Sequence, residues 1–309
     1  MKKSNSIVMI VLFTLLFGAT ESSFGSKTNA SFFPPEQLHL LKQFPTTKAV
    51  DQKRSEMILK DILDYFKDAA KLQNAKFNGR ILWDNATVNA VAYESGKTWN
   101  VDIYGGLVKY PLLTEDAIAV VICHEVGHHL AGYYFKSSFG WASAEGESDY
   151  FSTQKCAKAI FEKHQYESKL MESAVEAKIT ERCNTLATTS AQTCARLHRA
   201  SLILADILAQ LGGRRAMPDM DTPNPKAVRK TNGNHPEAQC RLDTFLAGIY
   251  CSNMPYPTSI PGGNAKFGKK NSKESELESA KLSCSQYLND KTGFRPACWF
   301  KAQLKPNKS

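Results

Sequence analysis

From Asp51 to about Lys71, the apolar positions Met57, Ile58, Ile62, Tyr65 and Phe66 recur at the three-and-four spacing of one helix face. The period then shortens. "RILWD" (Arg80–Asp84), "TVNAVAYES" (Thr87–Ser95) and "TWNVDIYGGLV" (Thr98–Val108) read as three strands, the last two separated by a turn at Gly96. Pro111 closes this block. Thr114, Glu115 and Asp116 open a helix with acidic residues in its first turn, where the helix dipole favours them, and the apolar pattern carries it to about Leu130. A further helix starts near Glu145, another runs from about Cys194 to Leu211 before Gly212 and Gly213, and a last one runs from Pro236 to about Tyr250. Residues 212–234, with Pro218, Pro223 and Pro225, form a connection long enough to serve as a lid or plug. The pattern predicts an α+β chain, mostly helical, with one small sheet.

At either end the pattern changes. Lys2 and Lys3 precede a 13-residue apolar run, Ile7–Ala19, too short for a comfortable membrane span. Residues 1–25 read as a signal peptide cleaved after Gly25, an uncleaved anchor being the alternative. Residues 26–251 then form the main domain. Residues 252–309, polar and rich in Gly and Pro, form a cysteine-containing extension packed on it. Eight cysteines, with no CxxC pair among them, suit disulfides in an oxidising compartment, either periplasmic or secreted. Cys240 and Cys251 cannot pair with each other if they share a helix, because about 16 Å of axis separates them. The net charge of +9 is dispersed and shows no basic stripe interleaved with aromatics, so no nucleic-acid partner is expected. It permits peripheral attraction to a membrane or an anionic envelope surface.

The chemistry concentrates in "AVVICHEVGHHLAGYY". His124 and His128 are four apart, share one helix face and can aim ring nitrogens at one ion. Glu125 emerges beside the pair, where a carboxylate can work on a water held by that ion. His129 points about 100° away from His128 and reads as a bystander. Catalytic zinc wants three protein ligands and an open position. Glu145, 17 residues after His128, is the candidate third ligand. Asp149, one turn beyond it, is placed to accept the free ring N–H of a ligating histidine. The expectation is one zinc ion per chain.

Taken together, these residues resemble the gluzincin metallopeptidases, in which HExxH is followed by ExxxD. More narrowly, the chain is similar to peptidase family forty-eight of the metallo class, which holds the CAAX prenyl endopeptidases and the HtpX-like and BepA-like peptidases. The likeness runs from about Val88 to Tyr250. "VNAVAYESG" matches the family's NAFA-type strand, "LTEDAIAVVICHEVGHH" its active helix, Glu145 and Asp149 the ends of its ExxAD motif, and "HPEAQCR" its later HP…R element. The resemblance implies a zincin-like domain with an edge-exposed sheet beside the HExxH helix. It implies zinc on His124, His128 and Glu145, Glu125 as general base, His235 stabilising the oxyanion and Arg241 supporting that site. It also implies that an extended protein or peptide substrate lies along Asn100, Val101, Asp102 and Ile103 as an edge strand. The shorter spacing from His128 to Glu145, the lack of further membrane helices, and the cysteines with their tail all depart from the family pattern.

Three functions compete on this sequence. The first is an exported zinc endopeptidase. The second is a non-proteolytic envelope chaperone or assembly factor whose zinc is plugged by a fourth protein ligand, His235 being the candidate. The third is a disulfide-stapled binding module without metal.

Overall fold

The computed structural model describes residues 29–34, 50–136, 140–213, 216–253, 258, 260–262 and 270–304. The signal-peptide reading lies outside these. The chain is α+β and mostly helical, with one four-stranded mixed sheet.

Helix α1 (Gln52–Leu72) is capped by Asp51, whose side chain accepts from the Arg54 N–H. It buries Ile58, Leu59, Ile62, Phe66, Ala69 and Ala70, the expected face rotated slightly, so that Met57 stays exposed. The sheet comprises β1 (Ala30–Ser31), β2 (Lys76–Leu82), β3 (Ala90–Ser95) and β4 (Thr98–Tyr104), in the order β1-β3-β4-β2. A hairpin at Gly96, where φ is +58°, joins β3 and β4 antiparallel, while β2 pairs with β4 in parallel. The strand after Thr98 ends earlier than its pattern suggests. Residues Gly105–Val108 instead curl into one turn, α2, closed by Lys109 N–H donating to Gly105 O at 3.0 Å.

One sequence expectation is corrected here. Residues Asn100, Val101, Asp102 and Ile103 do not form an edge. They lie inside the sheet, paired on one side with β2 and on the other with β3, and all four are buried. Asn100 and Asp102 spend their side chains on the sheet itself, on Asn78 and Arg80 respectively. The described part of the 212–234 connection runs along the C-terminal extension, with Val228 N–H donating to Ala297 O and Asn232 N–H to Trp299 O, and its last residues border Lys136.

Helix α3 (Glu115–Leu130) is the central post, capped by the Thr114 side chain, and every one of its residues is buried. A helix enclosed all round sits within a core, not on a surface. It packs against α1, the sheet, α4 (Glu145–Phe151) and α7 (Ala191–Leu211). After α4 the helical path continues through a π-helical segment, Ser152–Cys156, into α5 (Ala157–Phe161). α3 and α4 approach closely because of Gly127. A Cβ there would stand 3.0 Å from Ser148 Cα and 3.2 Å from the Phe151 ring.

Helices α6 (Ser173–Leu186), α8 (Ala238–Tyr250) and α9 (Lys273–Ala280) are the other α-helices among the described residues. Of these, only α8 was marked by the apolar pattern. All eight cysteines are paired: Cys123–Cys156, Cys183–Cys194, Cys240–Cys298 and Cys251–Cys284. The first joins α3 to the π segment, the second closes the α6–α7 connection, and the last two pin the extension to α8 and the residue that follows it. Among the described residues no helix is long and apolar enough to cross a membrane. The four disulfides fit an oxidising environment.

Candidate metal centre

His124 and His128 stand one turn apart on α3, their rings nearly perpendicular with centroids 4.7 Å apart. Each ring is fixed through Nδ1. The His124 Nδ1 lies 2.8 Å from Asp149 Oδ1, and the His128 Nδ1 lies 2.9 Å from Ser143 O and 3.0 Å from Ser148 Oγ. With an N–H at Nδ1 donating outward, each Nε2 presents its lone pair inward, the tautomer a metal needs. Both Nε2 atoms are buried without a hydrogen-bond partner.

Glu145 opens α4 directly opposite. Its Oε2, also buried without a hydrogen-bond donor, stands 3.3 Å from His124 Nε2 and 3.7 Å from His128 Nε2. Its Oε1 accepts from Lys136 Nζ at 2.5 Å. From the start of the α8 connection, His235 Nε2 reaches within 3.3 Å of the same Glu145 Oε2. Donors about 2 Å from a tetrahedral ion lie roughly 3.3 Å from one another, so these separations fit a cation of zinc's size. The residues present therefore suit a metal ion: orphaned nitrogens and a carboxylate oxygen, all buried, converge on one point.

Glu125 is the second unusual carboxylate. It is fully buried, and neither of its oxygens has a partner. Burial pushes it up to about 8, the Glu145 charge adding in the same direction. Glu145 is moved the opposite way. Burial would raise it, but His235, Lys136 and His128 hold it well below the usual carboxylate range. Two neighbouring glutamates are thus driven apart, one held ionised and the other shifted towards its protonated form.

Behind the donors, Arg241 grips Asp149 with two bonds, Nε to Oδ2 at 2.7 Å and the terminal nitrogen to Oδ1 at 2.6 Å. Asp149 and Arg241 are both essentially inaccessible. Arg241 therefore acts on the site through Asp149 and His124. His129 packs as a core residue between Trp99 and Trp141, with Nε2 3.3 Å from Asn100 O. A second cluster, Cys183, Cys194 and His198, offers no metal site: its cysteines form a disulfide and His198 bonds to Cys194 O and Tyr250 Oη.

The packing of α4 on α3 brings His124, Glu125, His128, Glu145 and Asp149 together, and His235 and Arg241 join them. Sequence reasoning missed Lys136, a lone lysine after an aromatic run. It also missed the segment that covers the centre, Ala30–Phe33, whose Phe32 ring stands edge-on to His124 at 5.0 Å. The partners of Ala30–Phe33 are distant in the chain, whereas Lys136 lies nine residues before Glu145 in a loop with no periodic pattern. Comparison with family models, with characterised proteins and with solved structures finds no match for this chain.

Proposed function

We propose that this chain is a zinc-dependent endopeptidase acting in the periplasm or outside the cell, of the gluzincin type that its motifs resemble. The observation that carries this is Glu125: a buried carboxylate with no partner, beside ring nitrogens that also have none. A purely structural site has no use for such a group, and holding it unpaired is costly. His124, His128 and Glu145 would hold the ion. When bound, zinc supplies Lewis acidity, acidifying water and polarising a carbonyl. Glu125 takes the proton from the attacking water and returns it to the departing amine. Asp149 and Ser143 O keep the two rings aimed. His235 donates to the carbonyl oxygen on which charge develops, and its reach to a peptide carbonyl, that of Ser31 at 2.6 Å, supports this role.

One observation favours a second reading. His235 Nε2 is as close to Glu145 Oε2 as His124 Nε2 is, so, with the Ser31 carbonyl released and that nitrogen unprotonated, four protein donors could close the ion off from water. The test compares zinc per chain and cleavage of an unfolded protein by the unmodified chain and by Glu125→Gln. Each is assayed also with Phe32→Ala and Phe33→Ala, to uncover the centre. One zinc throughout, with cleavage abolished by Glu125→Gln, is expected. Zinc throughout and cleavage by none of the four proteins would refute the peptidase and leave the closed structural site.

A further inference from the structure

Ala30 and Ser31 form the two-residue strand β1, and the chain then bends through Phe32 and Phe33 beside the metal centre. Ala30 and Ser31 add antiparallel to the outer edge of β3, in register with Ala92 and Val91, and Phe32 N–H continues the ladder to Ala90 O at 3.1 Å. Beyond this ladder, three side chains of the domain read its main chain. His235 Nε2 donates to Ser31 O at 2.6 Å, and Arg241 donates to Phe32 O at 2.5 Å. The Asn89 amide takes both polar groups of Phe33, accepting its N–H at 2.9 Å and donating to its carbonyl at 3.2 Å. Asn89 and Arg241 are themselves buried.

The aromatic side chains are held as closely. Phe32 packs between the His124 ring and the Arg241 guanidinium, whose Cζ is 4.2 Å from the ring centre, and Phe33 stands edge-on to Phe32. Both phenylalanines are essentially inaccessible, as are His124, Glu125, His128 and Glu145 beneath them. The hydrogen bonds recognise backbone, which any peptide supplies, while the pocket recognises the rings. His235, which faces the donor set, is the same residue that holds the Ser31 carbonyl. The segment therefore lies across the centre in the manner of a bound peptide.

We infer that the outer edge of β3, with Asn89, His235 and Arg241, is a groove for a peptide that pairs with that edge and then presents two adjacent aromatic side chains, and that Ala30–Phe33 is its resident occupant, closing the metal centre in cis. The purpose of the groove rests on the peptidase reading, but its occupancy does not. An occupant tethered to its own groove competes at an effective concentration of order millimolar, so a free peptide at micromolar concentration is excluded while the segment stays in place.

The test uses the full chain with its disulfides intact. In the Phe32→Ala, Phe33→Ala variant, a labelled peptide spanning Asn29–Pro34 is expected to bind at least about tenfold more tightly than to the unmodified chain. The same peptide with both phenylalanines replaced by alanine is expected not to compete. Amide exchange along β3 should quicken in the variant and slow again when the peptide is added. Phe33→Ala alone changes the occupant and leaves the groove residues and the Phe32 contacts in place; it serves as the second variant should the first not fold, with the same direction of change. Folded variants that bind no peptide, with β3 exchange unchanged, would overturn the proposal and make Ala30–Phe33 an ordinary core strand. Peptide binding without cleavage by any form would leave the groove standing and refute the peptidase alone.

Discussion

Replacing Arg241 by methionine isolates the charge that orients His124. Methionine keeps much of the apolar stem but removes every donor. Asp149, with no accessible surface, then keeps only His124 Nδ1 as a partner in place of three bonds. Breaking a buried ion pair from one side costs about 3–5 kcal/mol, because a charge is left stranded away from water. For a domain of this size that corresponds to a fall of roughly 6–20 °C in Tm. Loosening the partner of a ligating histidine also lowers metal affinity by about 10–100-fold. The assay is reversible unfolding with disulfides intact, followed by tryptophan fluorescence, alongside metal titration of the stripped protein. The control is the same substitution made in Asp149→Asn. There Arg241 is itself the stranded ion, so removing it costs little, and the two changes couple by about 2–3 kcal/mol. Equal losses in both backgrounds would refute the argument, since packing alone would then account for the effect.

Three further outcomes follow from the same geometry. Glu115, held below its ordinary value of 4.5 by its hydrogen bonds to Arg54, stabilises the fold above that pH and progressively less as pH falls below it. The stability difference between the unmodified chain and Glu115→Gln should therefore be largest near pH 7 and shrink through acid, as read by denaturant midpoints; a constant difference would disprove it. Gly127→Ala forces a methyl against Ser148 Cα and should lower stability by about 1–3 kcal/mol, loosening Glu145 with it and so weakening zinc binding. An unchanged midpoint would show that α3 and α4 can separate freely. Lys136→Met removes the cation from Glu145 Oε1, so the rise in Tm on adding zinc should exceed that of the unmodified chain. An equal rise in the two proteins would show that Lys136 does not offset the Glu145 charge.

The parts legible in the sequence are those whose signal is local. Thr114 caps α3 because a threonine before two acidic residues and an apolar run does so by short-range hydrogen bonding, and the helix ends where expected, at Leu130. His124 and His128 converge because four residues make one turn, and Glu145 with Asp149 repeat that spacing on α4. What stayed hidden depends on distant partners. Residues 100–103 became interior once Lys76–Leu82 paired beside them in parallel, a neighbour more than twenty residues upstream. Ala30–Phe33 is a short stretch before two prolines whose partners, Asn89, His235 and Arg241, lie far along the chain. α6 escaped the apolar pattern because, of its 14 residues, only Ile179 and Cys183 are buried.

The bridge between Cys123 and Cys156 bears on timing. Cys123 immediately precedes His124, and Cys156 follows Asp149 by seven residues. The 33-residue loop they close contains His124, Glu125, His128, Lys136, Glu145 and Asp149. Closing a loop of that length removes roughly 3–4 kcal/mol of freedom from the unfolded chain. Until the two thiols are oxidised, the helices carrying these groups are held by non-covalent contacts alone, with a free thiol next to the first histidine. Maturation of the centre is therefore coupled to passage into an oxidising compartment, and a chain kept among reduced thiols forgoes that contribution to assembling it.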